Sequence, residues 1–351
     1  MTERPRAVPD WTAWFLLVTL AGFAGYSAWR TIAAGWQPEA LAYLGGPALL
    51  AAGLAVGASL PARFILLASR ALLIVATAAL AGGVLGTDKP GFGPLGYPNA
   101  NAALALQLCA LAGIVWASTD GDRGRWHRFV WPALGVVLFL LVVLNRSLAG
   151  TLVGAPLLLV ALSARVRGLG RSRIVPIAGV LTLGGAVAGF LWLARLPVWA
   201  PIFTQAFSAV RRELWTTALQ LWAVAPVFGA GPGAFRTVNR LAADADTAPA
   251  HSVLLQAGAE TGWIGIAILA AVILAGYVLL ARSPTGAAAI GAAAWTALWI
   301  HSLVDHLTEF WTGPLSAGFV LGVACFRTVP RLPTSTPTPS AAEARTPTDG
   351  R

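Results

Sequence analysis

Apolar residues gather into long runs with few polar interruptions, at about 11–30, 40–59, 64–86, 99–118, 129–145, 148–164, 174–194, 262–281, 286–304 and 311–327. About 20 helical residues cross a hydrocarbon core about 30 Å thick, so the pattern predicts ten transmembrane helices and an all-α, polytopic bundle. The first run follows Arg4 and Arg6 and extends from Trp11 to Trp29. It is longer than the apolar core of a signal peptide and no small-residue cleavage site follows, so it is expected to be the first span.

Composition agrees. The 351 residues are 57% hydrophobic and 11% charged, against about 25% charged in ordinary soluble domains, which excludes a soluble fold. Twenty-four basic residues, all arginine except Lys89, give a net charge of +10. In a soluble chain this would suggest nucleic-acid binding; here position decides. With the N-terminus cytoplasmic, Arg63, Arg123, Arg125, Arg128, Arg165, Arg167, Arg171, Arg173, Arg282, Arg327 and Arg331 fall on inside connections. Glu39, Asp88, Asp305 and Glu309 fall on outside ones. This positive-inside pattern puts both termini in the cytoplasm, turns the connection 195–250 outward, and leaves no nucleic-acid partner expected. Residues 1–330 form the expected membrane domain, and the Pro/Thr-rich 331–351 a disordered cytoplasmic tail. Cys109 and Cys325 lie inside apolar runs and offer neither a disulfide framework nor zinc spacing.

The outward loop carries the candidate chemistry. Arg211, Trp215, Leu219 and Trp222 fall near helical spacing, which suits a short amphipathic helix at the lipid headgroups. Arg195, Arg211, Arg212, Arg236 and Arg240 face only Glu213, Asp244 and Asp246, an excess suited to an anionic ligand. Spacing leaves both Arg211 and Arg212 as candidates. The stretch Gly229-Ala230-Gly231-Pro232-Gly233 is either a plain turn or a close backbone approach to a ligand, and Arg236 and Arg240 would share the helix face after it. It lacks the Lys-Ser/Thr of a phosphate loop.

His251 stands where the chain re-enters the membrane, as a polar anchor or a proton acceptor. Glu260, costly in lipid, should face protein or a wet cavity. Arg146, between two apolar runs, either marks a turn or reaches an outer cavity. His301, Asp305 and Glu309, with His306, recur at i, i+4 and i+8; on one helix face this spacing suits a metal, although a helix end also collects solvated polar residues.

Together these segments resemble the O-antigen ligase family over roughly residues 85–325. Gly96-Tyr97-Pro98-Asn99-Ala100-Asn101 is similar to its Gly-aromatic-Asn-Pro-Asn element with Pro and Asn rearranged, and Asn145-Arg146-Ser147 to its Ser-Arg-Gly/Ala element. Arg211 to Trp215 and Pro226 to Phe235 are similar to its Arg, Trp and Pro-x-x-Gly-x-Gly-x-Gly-x-Phe run. His251-Ser252 with Leu255, Glu260, Gly262 and Gly265 is similar to its most specific run, and His301 to His306 to its closing segment.

The resemblance implies a GT-C-like glycosyltransferase of a bacterial cytoplasmic membrane. It would move a glycan from a polyprenyl (undecaprenyl) diphosphate carrier to an acceptor hydroxyl at the outer face, with inversion. No Asp-x-Asp carboxylate pair lies on the outer face and arginine can take a metal's electrostatic role, so transfer is expected without metal or other cofactor. His251 would act as base, oriented by Glu260. Arg211 and Arg212 would hold the diphosphate, and Arg146, Arg236, Arg240, Asn99 and Asn101 would bind substrate. Arginine suits this because its planar donors stay protonated where negative charge develops. Ligase, polymerase and protein O-glycosyltransferase chemistry all fit; a flippase of anionic lipids and a scaffold are the readings from other classes.

Overall fold

The computed structural model describes residues 11–59, 62–86, 93–118, 124–163, 173–283 and 285–325. Twelve α-helices and no strand are present among them: α1 Trp11–Ala34, α2 Ala40–Ser59, α3 Ala62–Leu85, α4 Pro98–Ser118, α5 Gly124–Leu144, α6 Leu148–Leu162, α7 Ile174–Ala194, α8 Pro201–Val224, α9 Ala234–Val238, α10 Val253–Arg282, α11 Gly286–Leu303 and α12 Thr312–Cys325. The expectations for Arg4, Arg6, Asp88, Lys89, Arg123, Arg165, Arg167, Arg171, Arg327, Arg331 and the tail 331–351 lie outside the described residues, as do the side chains of Arg63, Arg125 and Arg128.

Among the described residues seven helices are long and apolar enough to cross a membrane, namely α1, α2, α3 from Leu67, α4, α7, α10 and α11. The other three expected spans contain the shorter apolar helices Phe129–Leu144, Leu148–Leu162 and Thr312–Cys325. The chain is thus an all-helical membrane protein.

Burial is unequal. Within their apolar windows 83% of α4 and 78% of α11 is enclosed, whereas α1, α3 and α7 leave most of theirs open. Their composition permits this: α4 is built largely of Ala and Leu and α11 of Ala, with few large side chains to hold neighbours away. Trp295 and Trp299 fill the remaining space, their rings edge to face at 5.4 Å. On the flank, α2 and α12 meet through Gly53, Gly57, Gly318 and Gly322, where an added Cβ would strike the opposing backbone. Such small-residue pairs let dispersion contacts join helices that have no hydrophobic driving force in lipid.

Two helices are broken, and the breaks shape the site. The run at 262–281 was expected as a span of its own, but α10 starts earlier, capped by Ser252 Oγ accepting from the Leu255 amide at 3.3 Å. Hydropathy begins the span at Gly262 because Glu260 and Thr261 interrupt the apolar run there. At Gly262 the backbone takes φ 66° and ψ −167°, a conformation open to glycine. The groups freed by the break pair with the segment after α8. Ala230 and Gly231 amides donate to the Ala259 and Glu260 carbonyls at 2.9 Å each, while Trp263 donates to Pro226 at 2.9 Å and Ile264 to Val227 at 3.3 Å. Backbone polar groups within a membrane need such partners.

This bracket decides the role of the Gly229–Gly233 stretch. Its Gly229, Ala230 and Gly231 amides are all committed within the protein, so it is a turn that splices α8 to α10. The second break, at Ser208 in α8 with φ 69° and ψ 155°, starts a fresh helical segment whose Arg211 amide faces Ser208 Oγ at 3.4 Å.

The α8 face was expected at the headgroup level; it packs inward instead. Trp215 is fully buried against Phe190, Trp199 and Phe207, and Trp222 lies on Gly258 and Trp263. Leu219 packs at the edge of the same cluster. The 3.6-residue stripe was legible, but an apolar face reads the same whether lipid or protein covers it.

A candidate active site at one end of the bundle

The Asp305 carboxylate is 1% exposed and lies just past the end of α11, where four other segments converge. These are the turn before α4, the segment of α8 after Ser208, the approach to α10, and the 3-10 turn Leu307–Glu309. Its Oδ2 receives Arg211 Nη2 at 3.1 Å and the Asn99 side-chain amide. Its Oδ1 receives the His306 backbone amide at 2.9 Å and lies 3.6 Å from His251 Nδ1 and 3.0 Å from His306 Nδ1. The Tyr97 hydroxyl spans both oxygens, at 2.9 and 3.0 Å, and also lies 3.3 Å from His251 Nδ1.

Burial alone would raise the Asp305 pKa. The neighbouring side chains of His251 and His306, and then the charge of Arg211, outweigh it, holding the carboxyl well below its ordinary value. Tyr97 moves the other way: burial first, then the Asp305 carboxylate, raise its phenol well above the usual range, so it donates as a neutral hydroxyl.

His251 is held in an uncommon backbone conformation, φ 48°, and is buried. The indole of Trp215 donates to its carbonyl at 3.3 Å. Its Nε2 bonds the Asp246 carbonyl, which only accepts, so in the neutral ring Nε2 carries the proton and Nδ1 presents a lone pair toward Asp305 and Tyr97. Left-handed backbone at a buried polar residue is a form of strain that concentrates at functional sites. His306 packs edge on to His251 at 4.6 Å, and Tyr97 stacks on Phe310 at 5.4 Å.

Of the residues expected to act together, His251, Arg211 and Asn99 meet at Asp305. The adjacent arginines separate: Arg212 turns to the Pro197 carbonyl and, with Arg240, lines a distinct open groove of about 650 Å³. Arg236 pairs with Glu39 at the surface. It does not share a helix face with Arg240, because α9 ends at Val238. Glu260 does not orient His251. Its Oε1 accepts the Phe235 amide at 3.1 Å, so it fastens the splice between α8 and α10. Asn101 accepts from the Leu95 amide at 3.2 Å and donates to the Tyr97 carbonyl at 2.9 Å, which shapes the turn that carries Tyr97. Arg146 is exposed in the turn between α5 and α6, with φ 55°, and neighbouring Ser147 reaches His301 Nε2 at 3.4 Å.

His301, Asp305 and Glu309 do not share a helix face either, since α11 ends at Leu303. Glu309 instead accepts from Gln256 at 3.1 Å. The set whose ligand atoms converge, all within 4.8 Å of one another, is His251, Asp305 and His306. Tyr97 is thus a site residue that the sequence left without a role, and Asp305 and His306 are ones it offered only within a helix-face metal set, although all three lie inside the two resembling elements at 96–101 and 301–306.

A polytopic helical membrane protein with a guanidinium, an imidazole and a buried carboxylate gathered at one end of its bundle is the class defined so far. The family model for O-antigen ligase matches residues 132–270, and that match supports an assignment to the O-antigen ligase family. The matched stretch includes Arg211 and His251 and stops short of Asp305. No curated protein matches the chain.

Proposed function

We propose that the protein transfers a glycan from a polyprenyl (undecaprenyl) diphosphate carrier to an acceptor hydroxyl at the outer face of a bacterial cytoplasmic membrane. The observation that carries this reading is the approach of Arg211 and His251 to one buried carboxylate, Asp305.

The acceptor oxygen attacks the anomeric carbon from the side opposite the diphosphate, giving inversion. Its proton goes to His251 Nδ1, the nitrogen left free by the Asp246 carbonyl. The bond from the anomeric carbon to the diphosphate oxygen breaks, and its electron pair leaves with that oxygen. Arg211 neutralises the charge that develops there, so the transfer proceeds without metal. Asp305 stabilises the imidazolium and holds Arg211 until the diphosphate arrives. Arg212 and Arg240 belong to the neighbouring groove and have no part in the displacement.

A carrier of the same lipid-linked glycan is the second reading, favoured by the broken span α10. Against it, the carbonyls of Ala259 and Glu260 at that break are taken by Ala230 and Gly231 rather than open to a ligand. The test is release of polyprenyl diphosphate from a labelled lipid-linked glycan in chelator-treated proteoliposomes containing native membrane acceptors. The intact protein should release it, and folded His251→Ala and Arg211→Ala should not. Passage of the glycan across the bilayer still joined to its carrier would replace the enzyme with a carrier.

A further inference from the structure

We infer that His251, Asp305 and His306 form a binding site for a divalent cation of the zinc class, and that its occupation blocks transfer. Three observations carry the site. First, the ligand atoms are spaced for a small ion: Asp305 Oδ1 lies 3.0 Å from His306 Nδ1 and 3.6 Å from His251 Nδ1, and all three atoms lie within 4.8 Å of one another. Bonds of about 2.0–2.2 Å in a tetrahedron separate neighbouring ligand atoms by about 3.3–3.6 Å, so closing the set takes little movement.

Second, His306 Nδ1 is buried and aimed at this point, with the Asp305 carboxylate at 3.0 Å as its one neighbour and no hydrogen-bonded partner elsewhere among the described residues. A buried nitrogen held by that one contact can give it up for a bond to a cation that the same carboxylate shares. Third, His251 already has the outer contact that metal-bound histidines use. Its Nε2 bonds the Asp246 carbonyl, which fixes the tautomer and leaves Nδ1 free to coordinate.

The carboxylate divides the work. Arg211 and Asn99 occupy Oδ2, while both imidazoles face Oδ1, so a cation on Oδ1 need not displace Arg211. Tyr97 Oη, 3.3 Å from His251 Nδ1, borders the fourth position, where it or a water would complete the shell. Two imidazoles and one carboxylate suit zinc, cobalt or nickel better than magnesium or calcium, which prefer oxygen alone.

A cation here takes the Nδ1 lone pair that would otherwise accept the acceptor's proton. The blocking effect rests on the transferase reading of His251; the binding does not. Two measurements keep them apart. Chelator-treated full-length protein in detergent is titrated with Co²⁺ and followed by visible absorption. One equivalent should bind with the intense bands of tetrahedral cobalt, Zn²⁺ should bleach them, and His306→Gln should weaken binding by more than about 100-fold while keeping its helical circular dichroism. Absence of one-equivalent binding to the intact protein overturns the site, as does unchanged binding in both His306→Gln and His251→Gln. Release of polyprenyl diphosphate is then followed with and without Zn²⁺. Release that Zn²⁺ stops in the intact protein, and leaves at its own cation-free rate in His306→Gln, supports the block, whereas release that requires the cation overturns it.

Discussion

Arg211 Nη2 lies 3.1 Å from Oδ2 of Asp305, a carboxylate 1% exposed and bonded on both oxygens. The two residues are far apart in sequence, and the break at Ser208 is what turns α8 so that Arg211 reaches the end of α11. A buried pair of this kind is weak as a source of net stability and strong as a constraint, because removing one partner strands the other. Asp305→Ala should therefore destabilise the protein by about 3–5 kcal/mol, and Arg211→Ala by less, since Tyr97 and Asn99 still satisfy the carboxylate. Unfolding of the purified variants in denaturant would measure both. Equal losses would mean that the pair, rather than the wider set of donors, holds Asp305.

The two neighbouring arginines should differ in transfer. Arg211 faces the carboxylate and Arg212 faces the Pro197 carbonyl. Loss of a charge-stabilising donor costs about 100-fold or more in rate, so Arg211→Ala should fall at least about that far below Arg212→Ala in the release assay. Similar rates in the two variants would remove the diphosphate role from Arg211.

Acid stability should carry the signature of Asp305. Its folded pKa is held below the unfolded value, so the stability it contributes is fully present above the unfolded value of about 4 and is lost as pH falls through the folded one. The intact protein should lose more of its unfolding free energy than Asp305→Asn between about pH 5 and about pH 2. Parallel curves for the two proteins would show that Asp305 titrates alike in the folded and unfolded states.

Much of this arrangement was legible beforehand, and the reasons for the remainder are physical. Apolar runs located the helices because lipid imposes a length on them, and the match of Arg211 and His251 to short motifs marked two of the groups that converge. Hydropathy could not see that α10 begins at Val253, because Glu260 is buried on a backbone amide rather than exposed. Periodicity put Trp215 and Trp222 on one face but could not say that protein covers it. The i, i+4, i+8 pattern at His301, Asp305 and Glu309 assumed a helix that stops at Leu303. Tyr97 and His306 meet Asp305 through tertiary contact, which spacing along the chain does not encode.

Glycine at the splice should be irreplaceable. Gly229 and Gly262 have φ of 70° and 66°, and a Cβ at either would run into the backbone of the other strand of the bracket. Left-handed or extended positive-φ backbone costs about 1–3 kcal/mol in other residues before any clash is counted. Gly262→Ala should therefore lose more than about 3 kcal/mol, while Gly184→Ala, in a helix with open space around it, should change stability by less than about 1 kcal/mol in either direction. A mild Gly262→Ala phenotype would mean that α10 can close across the break.

Tyr97 tests whether the hydroxyl or the ring matters. Tyr97→Phe keeps the stack on Phe310, with planes 3° apart, and removes a hydroxyl that touches both Asp305 oxygens and His251 Nδ1. Asn99, Arg211 and the His306 amide still satisfy the carboxylate, so the stability loss should stay near 1–2 kcal/mol. Transfer should respond more than stability. With the hydroxyl gone, His251 Nδ1 loses its neighbour at 3.3 Å and the ring its orientation, so release should slow by about 10-fold or more. Release by the intact protein and by Tyr97→Phe measures this directly. Equal rates would assign Tyr97 a packing role and separate it from the chemistry of His251.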